Sequence, residues 1–436
     1  MMKTSLRCIL AGFASCTILY ANASPLQPKS VDEFTGQELS AQYYAYPYTD
    51  SPAPALTPAP DGYEPFHIEH YGRHGSRWLI DQRDYEYPVA ELEKAERNGY
   101  LTPLGKETLE LLRDIAAKEQ GRCEELTDMG ALQHQLIGER MVRNFPQVFA
   151  PGSTVNAKST IVIRCILSMV NELNSINKLA PGVKVLADAS NADMRYMNFD
   201  DTTGVKIRKA AKKKELKKFQ AKYPEKGVFL TRLITNPEFI RDSIDNSRVE
   251  RRLWRVLSNM QSHIGMPWLT DRVFSREEQH GQWMRSNANW FVEAGNSKLT
   301  KNRAQYSQRH LLRNFIESAD TAVASPRVSA NLRFGHDGMV LPLTVLMEIN
   351  DYAREINSLD QLEQSRWYCQ DIIPMAANIQ MIFYRPTDSI ATDDVLVKVL
   401  LNENEIVLPG TPVSGPYYRW KDLRKYYLEK LDSFKE

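Results

Sequence analysis

Residues 63–79 have the sequence YEPFHIEHYGRHGSRWL, and they are the stretch from which the fold of the rest of the chain can be inferred. Apolar and polar side chains alternate from Phe66 to His70, which is the period of a β-strand. Gly72 and Gly75 then indicate a turn, and a helix is predicted to begin at Arg77. A strand that leads through such a turn into a helix directs backbone N–H groups toward one point, which is suited to bind an anion.

The side chains of this turn fit the same kind of ligand. Arg73 and Arg77 are bidentate donors that match phosphate oxygens. His74 is the one nucleophile or base of the turn whose pKa is ordinarily close to neutrality. The Arg-His-Gly-x-Arg pattern is moderately specific by itself, and its place at the end of a predicted strand strengthens it. The sequence therefore predicts an oxyanion clamp around a histidine.

A metal site is an alternative for the same stretch. On a helix, His67, His70 and His74 would lie at i, i+3 and i+7 on one face and could together bind a metal ion. Pro65, Gly72 and the alternating pattern argue against a helix, so the strand interpretation is preferred.

Length and charge set limits on the function. The chain has 436 residues, of which 42% are hydrophobic, and this is enough for a large core and for two domains. Its 55 lysines and arginines against 54 acidic residues give a net charge of +1. A nearly neutral chain has no global field that would attract nucleic acid, so its attraction for an anionic ligand must be local.

The first residues have the pattern of a targeting segment. A basic start precedes an apolar run over residues 8–20, and Ala21-Asn22-Ala23 offers a small-x-small cleavage site. We therefore expect a signal peptide over residues 1–23 and a secreted or periplasmic protein. Lipoprotein anchoring at Cys16 is an alternative, which the continued apolar run beyond that residue disfavours. No later stretch is long and apolar enough to span a membrane.

Three cysteines follow the predicted signal peptide: Cys123, Cys165 and Cys369. They allow at most one intramolecular disulfide, and none has the C-x-x-C spacing of metal or redox sites. Buried structural thiols are the expectation for all three.

Strands and helices alternate through most of the remaining chain. Further strands are predicted over five short stretches, 153–158, 183–187, 328–334, 378–384 and 395–401, with helices between most of them. Ser159 and Thr160 are predicted to cap the helix that follows the first of these. The alternation predicts an α/β domain over residues 24–188 and 301–436, with a largely parallel sheet flanked by helices.

Residues 189–300 have a different character. Tryptophans punctuate the stretch and no strand pattern is convincing, so it is interpreted as an all-helical cap domain inserted into the α/β domain. Nine basic residues crowd the segment Lys206–Lys222. A solvated helix face is the preferred interpretation of this basic segment. The alternative is an inner edge that faces the clamp and attracts a polyanion.

Two further turns end in charged or reactive residues. Arg164 follows the second predicted strand, and His336 and Asp337 follow the fourth. Because parallel strands end at one edge of a sheet, these turns and the first turn are expected to meet in one crevice. The predicted site then comprises Arg73, His74, Arg77, Arg164, His336 and Asp337.

The residues of this site suit the hydrolysis of a phosphomonoester. His74 can attack phosphorus and form a phosphohistidine. The three arginines and His336 can bind the phosphoryl oxygens, and Asp337 can protonate the leaving alkoxide. The arginines supply the charge that a metal ion otherwise supplies, so neither a metal nor another cofactor is needed.

Four motifs spread over the chain carry a resemblance to a known family. They are His70-Tyr71-Gly72-Arg73-His74-Gly75-Ser76-Arg77, Leu126-Thr127-Asp128-Met129-Gly130, Ser159-Thr160 through Arg164 to Ser168-Met169, and Phe334-Gly335-His336-Asp337. With them the chain resembles the histidine acid phosphatases of the histidine phosphatase superfamily, and most closely the multiple inositol polyphosphate phosphatases. The resemblance implies an α/β domain with a helical cap, a phosphohistidine intermediate and the hydrolysis of inositol phosphates such as phytate.

The resemblance also implies roles for the six residues. These are nucleophile His74, proton donor Asp337, and phosphate ligands Arg73, Arg77, Arg164 and His336. The inositol polyphosphate phosphatases usually carry His-Ala-Glu at the donor motif, where this chain has His-Asp-Gly, so the preferred substrate stays open. A broad-specificity acid phosphatase that acts on sugar phosphates and a phosphoanion-binding protein without turnover are the alternatives.

Overall fold

The alternating stretch forms strand β1, Tyr63–Arg73, which lies in the middle of an eight-stranded sheet. The computed structural model describes residues 28–199, 201–325, 327–388 and 394–435. The predicted signal peptide and the alternative lipoprotein site at Cys16 lie outside the described residues.

Seven further strands complete the sheet: β2 Thr154–Ser159, β3 Lys184–Ala189, β4 Ala330–Gly335, β5 Asn378–Pro386, β6 Leu396–Leu401, β7 Asn404–Glu405 and β8 Tyr418–Arg419. Their order is β3-β2-β4-β1-β5-β6-β7, and β8 pairs with β6. β3, β2, β4 and β1 run parallel, whereas the pairs β1–β5 and β5–β6 are antiparallel. The predicted α/β architecture is confirmed, and the parallel half of the sheet carries the turns that the sequence singled out.

The three strands before these turns end level with one another. Arg73 at the end of β1 is paired with Gly335 at the end of β4, and Ser159 at the end of β2 is paired with Phe334. The chain therefore leaves all three strands at one edge of the sheet. This register explains how turns that are distant in sequence open into the same crevice.

Sixteen helices lie around the sheet in the part of the chain that the structure describes. Those before β4 are α1 Arg83–Arg97, α2 Pro103–Glu119, α3 Asp128–Asn144, α4 Ile163–Leu179, α5 Met194–Met197, α6 Thr202–Ala211, α7 Lys217–Gln220, α8 Leu230–Leu233, α9 Pro237–Ser243, α10 Asn246–Ser258, α11 Thr270–Val273, α12 Arg276–Ala294 and α13 Arg309–Ala324. Those after it are α14 Asp337–Leu346, α15 Cys369–Ile372 and α16 Trp420–Ser433.

Both faces of the central strand β1 are covered by apolar side chains. Because side chains alternate along a strand, β1 directs Tyr71 into one core and Ile68 into another. The first core contains Leu92 of α1 and Leu109 of α2, and the second contains Met169 of α4. Burial on both sides explains why β1 is fully buried from residue 65 onward.

Two predicted helix starts are wrong. The helix after the first turn begins at Arg83 rather than at Arg77, because the intervening residues are extended and pair with a second segment. Trp78 N–H donates to the carbonyl of Glu125 (2.9 Å) in this pairing. Ser159 and Thr160 do not cap α4, which begins later, after Val162.

The metal alternative for the first stretch is also contradicted. It required a helix across His67, His70 and His74, whereas β1 directs the first two side chains to opposite faces of the sheet. His67 lies 2.8 Å from Glu69 through Nε2 and 2.9 Å from the carbonyl of Val328 through Nδ1. Within the described ranges, no group of three His, Cys, Asp or Glu side chains could hold a metal ion.

Between β3 and β4 the described chain forms helices joined by loops, and no strand of the sheet forms there. Trp283 of α12 packs against Phe34 and Tyr368, so this segment shares an apolar core with the face of the sheet. The division into an α/β domain and a cap at residues 189–300 stays a prediction.

The basic segment Lys206–Lys222 is mostly exposed. Seven of its nine basic side chains point into solvent, and only Arg208 and Lys212 are partly buried. These two bond to the same carboxylate, that of Glu293. The exposed lysines fit the solvated face that the sequence favoured.

The three cysteines of the described chain are free thiols, and Cys165 and Cys369 are buried, whereas Cys123 is partly exposed. Burial raises the pKa of the Cys165 thiol to about 11, which makes it a poor nucleophile. Among the helices described, none combines the length and the apolar character that crossing a membrane requires.

Candidate active site

The backbone N–H groups of the loop after β1 are already bonded within the protein. The His74 N–H donates to a carbonyl at the end of β4 (2.9 Å). The Gly75 N–H donates to the hydroxyl of Ser168 (3.1 Å), and the Ser76 N–H donates to the side-chain oxygen of Gln133 (2.9 Å). The prediction that these N–H groups bind an anion is therefore wrong, and side chains must supply the donors.

His74 has a defined tautomer. Its Nδ1 lies 2.9 Å from the carbonyl oxygen of Gly75. A carbonyl oxygen only accepts, so Nδ1 carries the proton and Nε2 keeps its lone pair. Burial, reinforced by the charges of Arg73, Arg77 and Arg164, holds the pKa of His74 well below its ordinary value. The ring is thus neutral and its Nε2 is a potential nucleophile.

Three guanidinium groups lie around this ring. The charges of Arg73, Arg77 and Arg164 all act on the pKa of His74. Their Nε atoms are buried, and none of these atoms has a hydrogen-bond partner among the described residues. A buried donor without a partner costs about 1–3 kcal/mol. An anion with several acceptor oxygens would remove this cost.

The same arginines are oriented by bonds from their terminal nitrogens. Arg73 donates to the carbonyl of Ile373 (2.6 Å), and Arg77 donates to the carbonyl of the residue that follows it (2.8 Å). Arg164 forms an ion pair with Glu124 (3.0 Å). These bonds fix each guanidinium while the Nε atoms stay unpaired.

His336 and Asp337 complete the cluster from the end of β4. The ring centroids of His336 and His74 are 5.8 Å apart, and the rings are nearly perpendicular. The Asp337 carboxylate lies 2.8 Å from Nη2 of Arg73. The angle of this contact is not that of a hydrogen bond, so it is an ion pair and the Nη2 donor remains unused. The structure brings all six predicted residues together.

The charges of the cluster favour a dianion. Burial lowers the pKa of His336 to about 4, although Asp337 opposes this shift. Burial alone would raise the pKa of Asp337, but Arg73, Arg77 and His336 outweigh it and the pKa lies below its ordinary value. At neutral pH the two imidazoles are therefore neutral. Among the six predicted residues, three guanidinium groups and one carboxylate leave two net positive charges, and Glu124 pairs with Arg164 from outside the cluster.

Gly75 and Gly130 explain why the motif Leu126-Thr127-Asp128-Met129-Gly130 lies against the loop after β1. A Cβ at Gly75 would lie 2.4 Å from the carbonyl oxygen of Gly130, and a Cβ at Gly130 would lie 2.2 Å from that of Ser76. The loop and the start of α3 can approach this closely only without these side chains. Thr127 caps α3 and its N–H donates to the Ser76 carbonyl (3.0 Å), which fixes the contact.

Sequence reasoning missed side chains that hold the loop in place. The His134 ring lies 3.1 Å from the carbonyl of Arg73 through Nε2, and the Gln133 amide donates to the Ser76 hydroxyl (3.0 Å). Both residues lie one helical turn beyond Gly130, so their place on the same face of α3 was the signal that could have identified them. Thr160, predicted as a cap, instead lies 3.3 Å from Nε2 of His336.

A cavity of ≈ 300 Å³ lies near the cluster, although none of the six predicted residues lines it. Its lining includes Gly338, which follows Asp337, and Arg208 and Glu293 from the helical segment. Arg208 donates to Glu293 across 2.8 Å. The helical segment therefore forms one wall of the space beside the predicted site.

No protein-family model matches the chain, and no curated protein is significantly similar to it in sequence. Its structure is similar to that of the Bifidobacterium longum multiple inositol polyphosphate phosphatase in complex with inositol hexasulfate, with 20% identity and a TM-score of 0.67 over 89% of this chain and 97% of that chain. The phytase from D. castellii is 16% identical, with a TM-score of 0.69 over 95% of this chain and 89% of that chain. The Klebsiella sp ASR1 phytase is 12% identical, with a TM-score of 0.51 over 84% of this chain and 96% of that chain. By fold, the chain groups with this phosphatase and these phytases, as the resemblance of its motifs implied.

Proposed function

We propose that the protein is a phosphomonoesterase that works through a phosphohistidine formed on His74. One observation carries the proposal: a neutral, buried imidazole with an unprotonated Nε2 lies among three guanidinium groups whose Nε atoms have no partner. Guanidinium groups in this arrangement suit the equatorial oxygens of a transferring phosphoryl group.

The proposed reaction has two steps. Nε2 of His74 attacks phosphorus, the bond between phosphorus and the ester oxygen breaks, and the departing oxygen takes a proton from Asp337. A water molecule then attacks the phosphohistidine and gives a proton to Asp337, and the phosphorus–nitrogen bond breaks to release orthophosphate. Arg73, Arg77, Arg164 and His336 bind the phosphoryl oxygens throughout.

Asp337 has to be protonated when the ester bond breaks. Arg73 holds its pKa low through the ion pair of 2.8 Å. A bound phosphate dianion competes for the same guanidinium and adds negative charge nearby, and both effects raise the pKa of a carboxyl group. Substrate binding itself would thus prepare the proton donor.

Inositol polyphosphates such as phytate are the substrates we propose. The B. longum phosphatase of the same fold has been solved with inositol hexasulfate. The alternative is a broad-specificity acid phosphatase acting on sugar phosphates. The exposure of most basic side chains in Lys206–Lys222 favours this alternative, because they add little positive charge inside the crevice.

The test is hydrolysis of phytate, of a sugar phosphate and of an aryl phosphate by the purified protein in the presence of a chelator. We expect metal-independent release of phosphate, with a higher kcat/KM for phytate. Equal or better hydrolysis of sugar phosphates would support the alternative substrate. Binding of phosphate with no turnover of any ester would indicate a binding protein and would overturn the proposal.

A further inference from the structure

β3 is the outer strand of the sheet, and its far edge is uncovered. Among the described residues it pairs only with β2. Leu186 in its centre is 45% exposed, and Lys184 and Asp188 on either side are also exposed. Uncovered strand edges present free N–H and C=O groups that pair readily with another strand.

The ladder with β2 determines which groups point outward. The Lys184 N–H donates to the carbonyl of Ser153 next to β2 (2.8 Å). In a parallel pair, the N–H and C=O groups of every second residue bond to the neighbouring strand, and those of the residues between them point to the opposite side. The N–H and C=O groups of Val185 and Ala187 therefore point to the free edge.

The next outward N–H groups on either side are already bonded. Before the strand, the Val183 N–H donates to the carbonyl of Ala180 (3.1 Å). At its end, the Ala189 N–H donates to the carboxylate of Asp188 (2.8 Å). Within β3, only Val185 and Ala187 keep outward donors available.

The available N–H groups of Val185 and Ala187 are separated by one residue, so the same edge of a second copy of β3 can pair with them. In an antiparallel pair related by a two-fold axis at Leu186, Val185 of one copy is opposite Ala187 of the other. Each such pair exchanges two hydrogen bonds, so the arrangement forms four. A shift of the axis by one residue to either side would require the N–H of Val183 or Ala189, which is already bonded.

The register that these donors determine also places side chains of opposite charge opposite each other. Around an axis at Leu186, Lys184 of one copy lies opposite Asp188 of the other, and the pair occurs twice. Both are non-hydrogen-bonded positions, where opposed side chains approach most closely. Neither residue has an ion-pair partner among the described residues, although Asp188 binds a neighbouring N–H.

We propose that β3 is the interface of a homodimer in which two copies pair antiparallel about Leu186 and join their sheets. Six-residue strands bury less area than a standard interface, so neighbouring apolar side chains must contribute. Ile163 and Val170 of α4 are 68% and 41% exposed. Because the interface would bury little apolar area, we expect a weak dimer that dissociates on dilution.

Sedimentation of the full chain after any signal peptide is removed tests the interface. The wild type is expected to be a concentration-dependent dimer. Asp188→Lys and Lys184→Asp should each raise the dimer dissociation constant by about tenfold or more, because two attractive pairs become repulsive. The combined variant with both substitutions restores opposite charges and should dimerise again, so a loss in the single variants cannot be attributed to misfolding.

Three outcomes would overturn the proposal. These are a wild type that stays monomeric at its highest soluble concentration, a dimer that is unaffected by either single reversal, and a combined variant that remains monomeric while folded. Folding is checked in the wild type, the two single variants and the combined variant. They should share one aryl-phosphatase rate or one circular dichroism spectrum, since none of the changed residues contacts the predicted site.

Discussion

The Asp337 carboxylate lies 2.8 Å from the Arg73 guanidinium, so the proposed proton donor and a proposed phosphate ligand form an ion pair. Arg73 is fully buried, and its charge contributes to the lowered pKa of Asp337. The two proposed roles are therefore coupled: a phosphate that binds Arg73 weakens the pair and favours protonation of the carboxyl group. Each role can be tested by a substitution.

Asp337→Asn removes the transferable proton and retains the shape of the side chain. We expect kcat on alkyl phosphates, whose leaving groups need a proton, to fall by about 10²–10⁴. Activated aryl phosphates need little protonation and should be slowed much less. Measuring both substrates with the same enzyme preparation is the check, and equal losses on both would contradict the donor role.

His74→Ala removes the proposed nucleophile. Turnover should fall by at least about 10³, because the other neutral imidazole of the cluster, His336, is assigned to bind the phosphoryl oxygens rather than to attack phosphorus. The guanidinium groups remain, so calorimetry should still detect inorganic phosphate binding. Rapid quenching of the wild type with a labelled ester should trap an acid-labile phosphoprotein, and its absence would argue against a covalent intermediate.

Arg164→Ala removes one of the three donors with an unpaired Nε. A hydrogen bond to a charged group contributes about 1.5–3 kcal/mol, so phosphate affinity should weaken by about 10- to 100-fold. The control is Arg143→Ala on α3, where an exposed arginine pairs with Glu139 one turn away and, among the described residues, with no other side chain. Similar effects of the two substitutions on the inhibition constant of phosphate would remove Arg164 from the site.

The sequence predicted the cluster because its residues follow strands. Arg73, Arg164 and Asp337 lie after β1, β2 and β4, and the parallel register brings these ends together. The anchors of the loop could not be predicted in the same way. Ser168 and Gln133 reach the loop from two helices, and only the packing of those helices decides which backbone N–H groups are already bonded.

The error at Arg77 has a similar physical cause. Its local pattern, a glycine turn followed by apolar residues, is compatible with a helix start. The segment is instead extended, because Arg77 pairs with Leu126 from a distant part of the chain. Tertiary pairing thus overrides a local preference.

Partly buried histidines predict a loss of stability in acid. Burial lowers the pKa of His263 and of His336 to about 4 from an ordinary value of 6.5. Between these values the unfolded chain binds more protons than the folded one, so the free energy of unfolding decreases as pH falls from about 6.5 to about 4. The melting temperature measured across this window should fall, and less steeply in His263→Gln. An unchanged slope in that variant would contradict the assigned pKa direction.

His134 lies behind the nucleophile loop and joins it to two helices. The ring is fully buried, with Nε2 3.1 Å from the Arg73 carbonyl and Nδ1 2.9 Å from the Glu172 carboxyl. Because a carbonyl only accepts, Nε2 carries a proton. Burial raises the pKa of Glu172, and a protonated Glu172 can donate to Nδ1, which avoids a buried ion pair.

This arrangement makes Glu172→Gln and Glu172→Ala informative as a pair. The Gln amide can still donate to Nδ1, so kcat should stay near the wild-type value. Ala leaves the His134 ring without a partner on one side and the loop less firmly held, so kcat should fall by about tenfold while KM changes little, because the phosphate ligands keep their places. Steady-state kinetics on an aryl phosphate distinguish the two cases. A Gln variant as impaired as the Ala variant would mean that Glu172 acts as a carboxylate.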